Sequence, residues 1–219
     1  MNHDISHIDS LIFDMDGTLW NATESYAKVW NATCHEFDME ADFKGSDLEH
    51  FMGMSIESIM EHLLGNNMIV DRSAFLSLLG KKEEEMMPTL GGVLYPGVKD
   101  ALERLHGNFR LFMLSNCSPR GLVNFVNYTG TAHFFDGLLT QGERQVSKSE
   151  NLRYMASKYS LKCPVYVGDT QADCDQAHEA GMLFVHADWG FGCCNNADWR
   201  FATIRDFACY FLNSETITT

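Results

Sequence analysis

The apolar residues of the chain fall into two textures. Near the start, and again from about residue 93 onward, short β-branched, aliphatic or aromatic runs alternate with helix-compatible stretches. The runs are Ser10 to Phe13, Arg110 to Leu114, Gly137 to Leu139, Val165 to Val167 and Leu183 to Val185. They are mostly apolar throughout, the pattern of strands covered on both faces, and their alternation with helices predicts a parallel α/β sheet. Between Trp20 and Gly92 the texture becomes helix-compatible with no convincing strand, including the polar run Lys81 to Glu85. The expected architecture is therefore an α/β core, residues 1–19 and 93–219, with an all-helical insert, residues 20–92. Its hinges are expected just after Leu19 and at Leu90-Gly91-Gly92, where two glycines permit backbone changes that other residues resist.

Local punctuation places the helices that follow the strands. Ser118-Pro119 reads as an N-cap and first helical residue, and Ser147-Lys148-Ser149-Glu150 has the spacing of a capping box. Thr170 to Asp173 repeats that spacing with an acid at the third position, and Gly181 ends the helix begun near Gln171.

Composition narrows the class. The 219 residues are 45% hydrophobic and 21% charged, which suits a globular chain and excludes disorder or a collagen-like repeat. The net charge of −14 is interrupted by no Lys/Arg cluster, so neither nucleic acid nor an anionic membrane is an expected partner. A phosphorylated small molecule would also be repelled unless its site supplied local positive charge. No apolar run approaches the roughly 18 residues of a membrane span, and no basic stretch followed by an apolar run opens the chain, so a cytoplasmic location is expected. Seven cysteines without a C-x-x-C pair read as reduced thiols. Seven of the methionines (Met39, Met52, Met54, Met60, Met68, Met86, Met87) lie in the insert, as core filling or as an adaptable pocket lining. No H-E-x-x-H, G-x-S-x-G or phosphate-loop pattern occurs.

The candidate chemistry sits at strand ends, where open α/β sheets bind ligands. Asp14-Met15-Asp16-Gly17-Thr18 follows one apolar run, and Val167-Gly168-Asp169-Thr170-Gln171-Ala172-Asp173 follows another. Four strand-end acids in two turns suit a hard divalent cation such as Mg²⁺, which takes oxygen ligands. Ser115-Asn116 ends a third strand, and Lys148 stands in the first turn of a helix, where free N–H groups favour an anion. Taken singly, each has a plain alternative: an Asp-Gly turn, strand-end turn residues, a solvated lysine, a helix-start acid favoured by the macrodipole.

In this order the motifs resemble the haloacid dehalogenase-like superfamily, specifically its phosphoglycolate-phosphatase-like branch with a helical cap inserted after the first motif. The resemblance spans nearly the whole chain. It implies a Rossmann-like parallel sheet and a Mg²⁺-dependent phosphatase acting on a small phosphorylated metabolite, of phosphoglycolate or sugar phosphate type. It makes Asp14 the nucleophile that forms an aspartyl-phosphate, and Asp16 the general acid and base, whose backbone carbonyl also reaches the metal. Asp14 and Asp169 would hold the metal, with Asp173 a ligand or an orienter through water. Ser115, Lys148 and the backbone N–H groups of Met15 and Asn116 would hold the phosphoryl oxygens. Trp20, Asn21 and Glu24 past the first motif, and Gly53-Met54 as the cap's substrate loop, are candidates for specificity. One departure is Ser149, where family members commonly carry proline after the lysine; Lys158 is a poor substitute for Lys148. A monomer or weak dimer is expected. The alternatives carried forward are a phosphomutase of the β-phosphoglucomutase type, and a non-catalytic phosphate-binding protein of the same fold.

Overall fold

A computed structural model describes residues 5–65, 71–144 and 146–212. Six strands form one parallel sheet in the order β5-β4-β1-β6-β7-β8: β1 Ser10–Phe13, β4 Arg110–Ser115, β5 Gly137–Thr140, β6 Pro164–Gly168, β7 Leu183–Ala187 and β8 Trp199–Phe201. All five strands expected from the apolar runs are present. β8 was not legible, because three residues give too short a run to show a period. The α/β, Rossmann-like core is thus the observed fold, with β1 at its centre.

The centre is fixed by burial on both faces. Successive side chains of a strand point to opposite faces, and β1 divides accordingly. Leu11 and Phe13 join Leu111, Met113, Val165 and Val167 in one core, whereas Ile12 joins Phe112, Leu114, Tyr166 and Phe184 in the other. Helices α5 Val98–His106, α6 Gly121–Thr129 and α10 Ile204–Phe211 contribute to the first core. Helices α8 Lys148–Tyr159 and α9 Gln171–Glu179 cover the second, and the short α7 Gln141–Arg144 bridges β5 to α8.

Helices α1 Thr23–Glu36, α2 Gly45–Leu48, α3 Ile56–Leu64 and α4 Arg72–Leu90 all lie in the stretch read as helical. Their own core is aromatic: Trp30 and Phe37 of α1 and its end meet Phe75 of α4 at ring centroids of 5.8 and 5.3 Å. Met60 and Met87 are buried there, while Met68 lies outside the described residues. The stretch does contain one strand. Trp20–Asn21 (β2) pairs antiparallel with Val93–Leu94 (β3), so the chain leaves and re-enters the core as a two-stranded ribbon. Gly91 ends α4 at φ +57°, where a Cβ would run into the Tyr128 ring. Among the described residues no helix is long and apolar enough to cross a membrane, and all seven cysteines are free thiols.

The Ser147 and Thr170 capping boxes form as read, and Gly181 follows α9 at φ +78°. Ser118 does not cap α6. That helix starts at Gly121, and the Ser118 hydroxyl instead donates to Glu83 Oε1 on α4, at 3.0 Å. A partner from a distant helix has outcompeted the local cap.

Candidate active site

The carboxyl ends of β1, β4 and β6, with the N-terminus of α8, converge on one buried cluster. β1 has parallel neighbours on both sides, so its end lies where the chain's strand order reverses, the usual ligand position in such sheets. Asp14, Ser115, Lys148, Asp169 and Asp173 are each at most 5% exposed. Lys148 Nζ lies 2.5 Å from Asp173 Oδ1 and 3.6 Å from Asp14 Oδ1. Asp14, Asp169 and Asp173 each offer a carboxylate oxygen within 4.8 Å of the others, close enough for one cation.

Each acid is held differently. Asp14 is approached by the Met15 backbone N–H and the Ser115 hydroxyl, while its Oδ1 is buried without a hydrogen-bond partner. Asp169 Oδ2 accepts from the backbone N–H groups of Phe191 and Gly192, at 2.8 and 3.3 Å. Gly17 and Gly190 press on Asp169 so closely that a Cβ at either would collide with it. Asp173 Oδ2 accepts from the Thr170 N–H and hydroxyl in the capping box, and its Oδ1 takes Lys148. With both oxygens engaged, Asp173 has the bonding of a residue that orients its neighbours.

Electrostatics follows from this burial. Desolvation pushes the Asp14 carboxyl up; Lys148 opposes it and Asp173 adds to it, leaving a pKa of about 6. Burial, reinforced by Asp173 and Asp14, brings Asp169 to about 7. Asp16 is raised well above the usual carboxylate range by burial and by the charge of Asp14. For Lys148 burial acts downward, but the two carboxylates outweigh it and hold the ammonium well above its ordinary value. Three like charges at this separation, with one lysine against them, call for a cation.

Asp16 stands apart from the cluster that can hold a cation. Its carboxylate accepts from Trp20 Nε1 at 2.9 Å and from the Tyr26 hydroxyl at 3.4 Å, so its side chain is engaged away from that cluster. Trp20 is likewise not a cavity-wall residue: it is 1% exposed and stacked edge-on against Phe125. Its indole is large enough to fill the core under β2 while its N–H reaches Asp16. Asn21 accepts from the N–H and hydroxyl of Thr23 at the start of α1, and Glu24 accepts from Gly45 N–H, so both brace the insert.

Other expected residues do border the site. A cavity of about 590 Å³ extends from Asp14, Asp16, Ser115, Asn116 and Lys148 to Gly53 and Met54. The Asn116 side chain donates to the Gly53 carbonyl at 3.1 Å, joining the end of β4 to the helical stretch. The departure at Ser149 has a physical reason, since its backbone N–H donates to Gln176 Oε1 at 3.0 Å, which proline could not do. Lys158 is exposed on the far part of α8, over the Tyr154 and Tyr159 rings.

Sequence reasoning missed the loop after β7 as part of the site. Trp189 Nε1 donates to the Thr18 carbonyl at 2.8 Å, and the backbone N–H groups of Phe191 and Gly192 hold Asp169. The Gly-x-Gly of Gly190 and Gly192 was the available signal, because close backbone approach to a carboxylate requires residues without a Cβ.

Comparison with known proteins agrees with this geometry. The family model for haloacid dehalogenase-like hydrolases matches residues 11–187. The phosphoglycolate phosphatase of Synechococcus elongatus is 24% identical over 187 residues, covering 84% of this chain and 85% of its own. That of Aliivibrio fischeri is 26% identical over 196 residues, covering 84% and 86%. In fold, a haloacid dehalogenase-like hydrolase from Streptococcus pneumoniae superposes with a TM-score of 0.80 at 21% identity, over 94% of this chain and 99% of its own. A predicted phosphoglycolate phosphatase from Haemophilus somnus gives 0.80 at 21% identity, over 93% and 98%. With the family model spanning most of the chain, and the acids, serine and lysine of its motifs drawn to one strand-end cluster, the chain belongs to the haloacid dehalogenase-like hydrolases, as a phosphoric monoester hydrolase of their phosphoglycolate-phosphatase-like branch.

Proposed function

We propose that this enzyme hydrolyses a small phosphorylated metabolite in two displacements, with Asp14 as nucleophile and Mg²⁺ as its cofactor. The observation that carries the reading is Asp14 Oδ1: buried, without a hydrogen-bond partner, 3.6 Å from the Lys148 ammonium and beside two further carboxylates. An oxygen so placed is desolvated and available for attack, and positioning with electrostatics dominates phosphoryl transfer.

In the first displacement an Asp14 oxygen forms a bond to phosphorus as the ester P–O bond breaks, and Asp16 passes its proton to the departing alkoxide. In the second, Asp16 as carboxylate takes a proton from water, whose oxygen attacks phosphorus and releases phosphate from Asp14. Asp16 suits both tasks because burial and the neighbouring Asp14 charge raise its pKa and so favour its protonated form, and because Trp20 and Tyr26 fix its carboxylate. Ser115, Lys148 and the backbone N–H groups of Met15 and Asn116 would hold the phosphoryl oxygens.

The donor set fits Mg²⁺, being three buried carboxylates of which Asp14 offers an oxygen without a hydrogen-bond partner. Asp14 and Asp169 would hold it, with the Asp16 backbone carbonyl, and Asp173 would orient the pair. Bound there, the ion supplies positive charge between the nucleophile and the phosphate, answering the net charge of −14 locally. Residues 20–92 would act as the cap over residues 1–19 and 93–219, closing through the Asn116–Gly53 contact and excluding water.

The test is acid quenching of enzyme, Mg²⁺ and excess substrate followed by peptide mass mapping. Addition of one phosphoryl group at Asp14 is the expected result; turnover without any acyl-phosphate on the 14–18 segment would contradict it.

A further inference from the structure

The cavity beside the cluster has a composition that selects its occupant. Its far wall is apolar, with Trp30, Ile59, Leu76 and Leu79 buried or half-buried along α1, α3 and α4. Its polar groups beyond the strand ends are few, and the charged ones are acidic: Glu83 on α4 and Glu57 at the start of α3. Among the described residues lining it, Lys148 is the one cation, and that ammonium is already engaged by Asp14 and Asp173. Glu83 is half-buried and fixed by the Ser118 hydroxyl, which donates to its Oε1 at 3.0 Å.

Resting on the phosphatase reading above, we propose that Glu83 is the specificity residue for the leaving group, and that this group is an alcohol without a carboxylate, carrying a hydroxyl or ammonium that donates to Glu83. A carboxylate in this cavity would meet Glu83, and Glu57 at the rim, with no free cation to pair with, and like charges in a partly dry site repel strongly. A hydroxyl or ammonium can instead donate to the Glu83 carboxylate beside Ser118, while its carbon body covers the apolar wall. Burial raises the Glu83 pKa and the Ser118 hydrogen bond opposes it, so a further donor at the carboxylate is favoured there. Phosphoglycolate, whose leaving group is a carboxylate-bearing alcohol, is accordingly a poor substrate for this chain, in contrast to the relatives named after it.

The experiment compares kcat and KM, with Mg²⁺, for phosphoglycolate, glycerol 3-phosphate, phosphoethanolamine and the donor-free reference phenyl phosphate, in the native chain, Glu83→Gln and Glu83→Lys. The expected result is a kcat/KM for glycerol 3-phosphate or phosphoethanolamine at least about tenfold above that for phosphoglycolate. Glu83→Gln should narrow that gap mainly through KM and keep phenyl phosphate within about twofold, and Glu83→Lys should reverse the preference. Whichever of the two donor substrates leads identifies the donor as hydroxyl or ammonium. Ratios between substrates within one variant do not depend on how much of it is folded. Equal or better turnover of phosphoglycolate by the native chain, or a uniform loss on all four compounds in Glu83→Gln, would overturn the assignment of Glu83 while leaving the phosphatase reading standing. No turnover of any compound would overturn that reading and this inference with it.

Discussion

The strand-end cluster and the cavity wall facing it are built on opposite principles. In the cluster every charged side chain is buried, fixed by named partners, and supplied by the residue that ends a strand or opens the following helix. Across the cavity the insert supplies an apolar surface from separate turns of α1, α3 and α4, with Met54, Ile56 and Glu57 exposed at its rim. The first arrangement specifies a reaction by pre-organised charge; the second selects an occupant by shape and by the charges it withholds. Substitutions on the two sides should therefore fail differently.

The largest effect belongs to Asp14. Asp14→Asn keeps the volume and removes the proposed nucleophile, so kcat should fall by about 10⁴-fold or more on every substrate, measured as phosphate release. Asp16→Asn comes next, with a loss on the order of 10²–10⁴-fold as the proposed proton carrier is removed. It should spare substrates whose leaving group needs no proton, such as p-nitrophenyl phosphate, relative to alkyl phosphates. A loss of equal size on both would make Asp16 a structural residue.

Lys148→Met breaks a buried charge network by removing its only cation. Such losses cost about 3–5 kcal/mol, because the surviving carboxylates stay buried and unpaired. A chain of this size then melts lower by roughly 2–4 °C per kcal/mol, and Mg²⁺ should restore part of the difference.

Asp169 carries a pH signature. Its folded pKa, about 7, is raised above the unfolded carboxylate value by burial and by its acidic neighbours. The folded state therefore holds the proton more tightly, and without metal the charged carboxylate costs stability as pH rises from about 4 through about 7. Asp169→Asn should melt several degrees higher than the native chain at about pH 8 without metal, with the gap closing toward about pH 4. Mg²⁺ should raise the melting temperature of the native chain at about pH 8 far more than that of the variant. A pH-independent gap would mean that the mutual repulsion inferred for these acids is absent. At the other extreme, Ile56→Ala on the exposed rim should change stability by no more than about 0.5 kcal/mol, though it can shift KM.

The same contrast governs what could be read from the chain. The five longer strands were legible because burial on both faces leaves an unbroken apolar run, and the acids because they directly follow such runs. Lys148 was legible through its capping box, where Ser147 and Glu150 mark the helix start. β8, with three residues, left no period, and the β2 to β3 ribbon has two residues a side. Trp20 was misassigned to substrate contact because adjacency to a motif says nothing of direction: its ring turns into the core and only its N–H serves Asp16. The Ser118–Glu83 and Asn116–Gly53 bonds join residues 35 and 63 positions apart, and local spacing carries no trace of such partners. Glu83 shows the same limit, since in the sequence it is one charge of an ordinary polar run.

Mg²⁺-dependent phosphate release from a panel of sugar phosphates, alkyl phosphates, phosphoglycolate and nucleoside monophosphates, run in parallel on the native chain and Asp14→Asn, decides whether Asp14 carries the reaction. The expected result is release that chelation abolishes and that Asp14→Asn lacks for every compound. Release that persists in Asp14→Asn, or that is indifferent to chelation, would contradict it.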